Sequence, residues 1–154
     1  MREAAGSARV ARAASAMAYR SHVIVRFAHC DPAGIVFFPR YMEMFNNLVE
    51  DWCRDALRMS FAELHLERGL GLSTVHLEVD FIAPSVLGEE LATTLEVRKI
   101  GTSSIRLGVV LAGADGADRV RGEMVLVLVD GRSKRACPLT DELRQRMAAF
   151  QTES

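Results

Sequence analysis

Along most of this chain apolar and polar positions alternate with period two; in one stretch near the start they switch to a helical period. Residues 19–27 predict a first strand, with Val23, Val25 and Phe27 on one face and His22, Ile24 and Arg26 on the other. From residue 41 to about residue 57 the period lengthens. Tyr41, Phe45, Leu48, Trp52 and Ala56 fall on one face of a 3.6-residue repeat, and Met44, Val49 and Cys53 widen the stripe. Glu43, Asn46, Asn47, Glu50, Asp51 and Arg54 supply the polar side. A helix of this length would run about 26 Å, enough to cross a sheet. Residues 61–68 predict a second, short helix stopped by Gly69 and Gly71.

Four more strands are expected. In residues 74–83, Val75, Leu77, Val79 and Phe81 alternate with His76, Glu78 and Asp80, and Pro84 ends the run. Residues 90–100 and 103–111 each carry one apolar face. Residues 119–130 include 124–129, apolar on both faces, which predicts a strand inside the sheet. Gly101-Thr102 and Gly113-Ala114-Asp115-Gly116 read as hairpin turns, and residues 139–150 as a C-terminal helix. One strand, a long helix and four hairpin-linked strands predict an α+β fold: a mostly antiparallel five-stranded sheet against a buried helix.

A chain of 154 residues, 49% apolar and 25% charged, suits one domain with a real core, expected over residues 19–154. Residues 1–18 differ. They are Ala-rich, carry Arg2, Arg9 and Arg12 against one acid, Glu3, and lack the apolar run of a secretory signal. A mobile tail is expected there; a transit peptide and a true start at Met17 are the other readings this composition leaves open. A net charge of −1 gives no basic footprint for nucleic acid. The longest apolar run, 124–129, is far short of the roughly 20 residues a membrane helix needs. Three cysteines, Cys30, Cys53 and Cys137, have no close pairing, so neither a disulfide framework nor a zinc site is expected and a reducing cytoplasm is the expected compartment.

The junction between the first strand and the long helix carries the candidate chemistry. Its residues are His29-Cys30-Asp31-Pro32-Ala33-Gly34-Ile35-Val36-Phe37-Phe38-Pro39-Arg40-Tyr41. A helix start offers unpaired N–H groups and partial positive charge, which favour an anion. An acid in the preceding turn, Asp31, is therefore placed for chemistry, although Asp also commonly does no more than cap such a turn. His29 and Cys30 are adjacent, but adjacent side chains of an extended chain point to opposite sides, so a turn histidine and a buried thiol are the plainer readings. His76 and the Glu78–Asp80 face read as solvated surface. Glu43 and Asn47, one turn apart on the polar side of the helix, could reach the cleft, and Trp52 reads as core.

Residues 26–41, above all Asp-Pro-Ala-Gly-Ile-Val followed by two aromatics, Pro, one residue and Tyr, resemble the signature of the 4-hydroxybenzoyl-CoA thioesterase family. The resemblance implies a hot-dog fold, in which the sheet wraps a central helix, and hydrolysis of an acyl- or aroyl-CoA thioester. It makes Asp31 the nucleophile or the general base, and the Phe38 backbone N–H the donor that polarises the carbonyl. Gly34, Ile35, Phe37 and Tyr41 of the motif are expected to bind substrate, and residues 69–73 to help shape the acyl pocket. A close family pattern has Tyr where Phe38 stands, so the phenol is absent here. Family members are dimers or tetramers with sites near a subunit interface, which implies a homo-oligomer. Arg98, Lys99 and Arg106 fall near the region that contacts coenzyme A, but Gly101-Thr102-Ser103-Ser104 occupies the turn and the correspondence is not carried over. A thioester is already activated, so one base or nucleophile and one oxyanion donor suffice. No metal and no cofactor other than the substrate's coenzyme A is expected, and the thiol carrier is left open between coenzyme A and a carrier protein. A hot-dog dehydratase and a non-catalytic acyl-thioester binder are the competing functions. The first needs a His and acid pair where this chain has Asp-Pro-Ala-Gly-Ile-Val, and the second leaves Asp31 without a purpose.

Overall fold

The computed structural model describes residues 17–152. Its elements are β1 (Tyr19–Ile24), α1 (Pro39–Asp55), β2 (Leu70–Phe81), β3 (Glu90–Ile100), β4 (Ser104–Ala112), β5 (Asp118–Asp130) and α2 (Asp141–Ala148). A 3-10 turn, Phe27–His29, follows β1, and a π-type turn, Glu63–Glu67, precedes β2. The strands form one sheet in the order β1-β3-β4-β5-β2, antiparallel throughout. The hairpin turns make the β3–β4 and β4–β5 pairs antiparallel; β1 joins β3 and β2 joins β5 in the same sense without a hairpin. Gly113 N–H donates to Ala117 O at the β4–β5 turn and Gly101 N–H to Ser104 O at the β3–β4 turn.

Alternation puts Leu91, Leu95 and Val97 of β3, Ile105, Leu107, Val109 and Leu111 of β4, and Val120, Met124, Leu126 and Leu128 of β5 on one buried face. The stripe Tyr41, Met44, Phe45, Leu48, Val49, Trp52 and Cys53 of α1 is buried with them. Each such large side chain removed from water contributes about 1.5–3 kcal/mol, so the sheet and α1 hold each other. The close approach has one strict requirement. A Cβ at Gly122 of β5 would overlap the Phe45 ring, so α1 rests where a side chain would otherwise stand. The fold is the α+β arrangement of a sheet wrapped on a central helix, and β5 lies inside the sheet as its two apolar faces require.

Several boundaries differ from the sequence expectations, each for a physical reason. β1 stops at Ile24, and Phe27 lies in the 3-10 turn, exposed, rather than continuing the apolar face. α1 begins at Pro39 rather than residue 41, because proline at N1 is preset for a helix and its missing N–H costs nothing there. It ends at Asp55, just before Arg58 takes a left-handed φ of 55°. Residues 61–67 do form the expected short helix, with Glu63–Glu67 of π type. β2 starts at Leu70, and the pairing steps from Thr74↔Leu126 to His76↔Val125, so Val75 is the extra residue of a bulge and leaves the alternation. α2 is shorter than residues 139–150; Thr140 caps it, its Oγ1 accepting from Leu143 N–H at 3.2 Å. The tail expectation and the Met17 start concern residues 1–16, which lie outside the described residues.

Candidate active site

The junction after β1 folds into a tight hairpin. Asp31 N–H donates to Ile35 O, Gly34 N–H donates to Asp31 O, and Cys30 pairs with Val36. Gly34 has φ +77°, the left-handed conformation that closes such a turn and that a side chain disfavours. Phe37 N–H then donates to His29 O at 2.9 Å, so the leg carrying Asp31 lies beside the leg that leads into α1.

Asp31 is half-buried, and its carboxylate is used on one side only. Oδ1 accepts from Ala33 N–H at 2.8 Å, which fixes the orientation of the group. Among the described residues Oδ2 has no partner and remains available to a proton or a carbonyl carbon. At the start of α1 Pro39 has no N–H, Arg40 N–H donates to Phe37 O and Tyr41 N–H to Phe38 O. The Phe38 N–H has no acceptor among the described residues. An unspent donor at a helix start, where the peptide dipoles sum to partial positive charge, suits a developing oxyanion. The turn thus presents an oriented carboxylate oxygen and the helix an unused N–H.

Aromatic rings border these two groups. Phe37 and Phe38 meet edge to face with centroids 5.4 Å apart, and Phe38 meets Phe81 of β2 in the same way at 6.0 Å. Phe38 is 60% exposed and Phe81 52%, so an open apolar ledge lies beside the helix start. Tyr41 is placed differently. Its ring touches Phe81, but the side chain is only 4% exposed and its hydroxyl is 2.8 Å from Ser85 Oγ. Ile35 pairs with Val86. Ser85 and Phe81 were not singled out from the sequence; the signal available was a lone hydroxyl in the apolar stretch 81–87.

The remaining candidates have other partners. His29 Nδ1 accepts from Arg26 N–H at 2.9 Å, and Cys30 Sγ donates to Arg26 O at 3.4 Å, so both serve the Arg26 peptide rather than each other. Burial pushes the Cys53 thiol up to about 12, helped by the nearby Glu50 charge. Glu43 pairs with Arg40 at 2.7 Å, and Asn47 is exposed on α1. His76 Nε2 lies 3.3 Å from Glu78 on the opposite face of β2 from Leu77. Arg98 pairs with Glu96 at 3.3 Å and lies across Gly108, while Arg106 pairs with Glu123. Among the described residues no three His, Cys, Asp or Glu side chains converge as metal ligands. No described helix is long and apolar enough to cross a membrane.

Comparison with known proteins identifies the company this geometry keeps. The model of the thioesterase-like superfamily matches residues 25–147. The 1,4-dihydroxy-2-naphthoyl-CoA hydrolase of Trichodesmium erythraeum is 25% identical over 145 residues, covering 88% of this chain and 99% of that protein. A 1,4-dihydroxy-2-naphthoyl-CoA thioesterase from Synechocystis superposes with a TM-score of 0.77 at 20% identity, over 85% of this chain and 96% of that one. A Staphylococcus aureus protein solved in complex with CoA superposes at 0.81 with 15% identity, over 89% and 87%. These two likenesses show the fold.

Proposed function

Because the chain belongs to the thioesterase-like superfamily, we propose that it is a thioester hydrolase that releases an aromatic acid and coenzyme A from an aroyl-CoA. The observation that carries this reading is the pairing of a half-used carboxylate, Asp31, with an unused N–H, Phe38, across one hairpin. In the general-base route Asp31 Oδ2 takes a proton from water as the water oxygen attacks the thioester carbonyl. The carbonyl becomes an oxyanion held by the Phe38 N–H, and collapse expels the thiolate, which recovers the proton. In the nucleophilic route Oδ2 itself attacks, the thiolate leaves, and water hydrolyses the resulting anhydride. Both routes give the same products and need no metal. An Asp31 oxygen in the first acid released by a single turnover in heavy-oxygen water marks the nucleophilic route with water attacking the Asp31 carbonyl of the anhydride.

The aromatic acyl group is supported by the ledge of Phe37, Phe38 and Phe81, whose faces and edges suit a flat ring system, and by the naphthoyl-CoA relatives. Gly34 and Ile35, in the turn that orients Asp31, are the further residues proposed to contact substrate. We further propose a homo-oligomer. The second edge of β2 pairs with no described strand, and Leu77, Phe81 and Ile82 are exposed along it, an arrangement that a second copy pairing through β2 would cover. Sedimentation gives the oligomeric state. The decisive assay offers aroyl-, short- and long-chain acyl-CoAs and follows free thiol. Asp31-dependent release fastest with aroyl-CoA is expected; absence of release from every thioester overturns the reading.

A further inference from the structure

We propose that the buried Tyr41–Ser85 hydroxyl pair is a positioning brace that sets the Asp31 carboxylate against the Phe38 N–H. The inference rests on the proposed reading of that site and adds residues outside it. Three segments meet here, two near neighbours in sequence and the third, around Ser85, 44 residues beyond Tyr41. Val36 N–H donates to Ser85 O at 2.9 Å and Leu87 N–H to Gly34 O at 3.0 Å. The β2–β3 connection therefore runs as a third strand against the hairpin leg 34–36, whose other side pairs with Cys30, next to Asp31. Tyr41 belongs to the first turn of α1 and reaches across to the same connection, its hydroxyl 2.8 Å from Ser85 Oγ. The turn that orients the carboxylate and the helix start that offers the N–H thus share one anchor point.

The chemistry of the pair indicates positioning rather than simple packing. Ser85 is 0% exposed and Tyr41 4%. A buried hydroxyl is costly unless paired, whereas Phe and Ala would fill the same space without that demand. What the hydroxyls add is direction, because a hydrogen bond fixes distance and angle where an apolar contact does not. Among the described residues this is the buried side-chain-to-side-chain hydrogen bond of the molecule; the other side-chain pairs are exposed or half-buried. Neither hydroxyl needs to touch substrate for this role. A shift of about 1 Å between reacting groups can cost about 100-fold in rate.

The test is a double-mutant cycle of Tyr41→Phe, Ser85→Ala and the pair, with Ser85→Thr as the variant that keeps a hydroxyl. Aroyl-CoA hydrolysis and amide exchange at Val36 and Leu87 are both read. Each single variant is expected to lower kcat by about 10- to 100-fold with KM nearly unchanged, to cost in combination no more than the worse single, and to speed exchange at both amides. Ser85→Thr is expected to recover most of kcat. Single variants with wild-type kcat, or losses that simply multiply, overturn the brace while wild-type turnover leaves the thioesterase reading intact. Wild-type protein that releases no thiol overturns the reaction and the brace's catalytic purpose with it. Unchanged amide exchange in both single variants overturns the brace whatever the activity.

Discussion

Among the described residues three turns carry an aspartate whose side chain accepts a backbone N–H, and only one of them leads into a helix. Asp115, in the β4–β5 hairpin, accepts from Ala117 N–H at 3.0 Å and pairs with Arg119 at 3.3 Å. Asp130, after β5, accepts from Arg132 and Ser133 N–H at 2.9 and 2.8 Å. The backbone N–H groups of Ala117 and of Ser133 and Arg132 hold these carboxyls below their ordinary value. Asp31 makes the same kind of local bond to Ala33. The difference lies downstream. The N–H groups after Asp130 are spent on Gly69 and on Asp130 itself and the Asp115 turn closes a hairpin, but the chain after Asp31 enters α1, and the Phe38 N–H just before that helix is unused. The capping aspartate is therefore ordinary turn chemistry. The contrast teaches that a site needs the turn and the helix start together.

The strongest way to break this comparison is to exchange the acid alone. Asp31→Asn keeps an oxygen for Ala33 N–H and hence the turn, but loses the proposed base or nucleophile. Thiol release should fall by about 100- to 10,000-fold with an unchanged circular dichroism spectrum. Asp115→Asn and Asp130→Asn should turn over like wild type, and equal losses in all three would erase the distinction. Next comes the donor. Phe38 has φ −52°, which proline can adopt, so Phe38→Pro deletes the N–H and should cost about 100- to 1,000-fold in kcat. Phe38→Ala, which keeps the N–H, should retain far more of kcat and mainly weaken aroyl-CoA binding.

Moving the helix tests the same contrast without touching the turn. Gly122→Ala would drive a methyl into the Phe45 ring and should cost about 1–3 kcal/mol of stability, read by denaturant melts, with some loss of kcat as α1 shifts. The smallest effect belongs to Asp130. Its carboxyl titrates lower in the folded than in the unfolded chain, so its contribution is present above the unfolded value and is lost as pH falls through the lower folded one. Asp130→Ala should slightly flatten the acid limb of stability, measured as the melting temperature against pH, and leave thiol release untouched.

Much of this was legible without coordinates. The period of Tyr41, Phe45, Leu48 and Trp52 located α1 and its buried stripe, the alternation and turn residues located β3, β4 and β5 to within a residue, and Asp31-Pro32-Ala33-Gly34 marked a turn at a helix start. These are local matters: side-chain direction repeats with the backbone geometry of each element, and proline and glycine restrict or free φ at their own positions. Contacts between distant segments decided the rest. Phe27 left the core because the chain turned before it, and Val75 became a bulge when β2 met β5. Tyr41, a core position by period, found its partner at Ser85, 44 residues away. Which oxygen of Asp31 stays free, and which N–H of the helix start stays unspent, depends on every other donor and acceptor that the folded chain brings within reach. Periodicity carries no record of that assignment, and only the tertiary structure makes it.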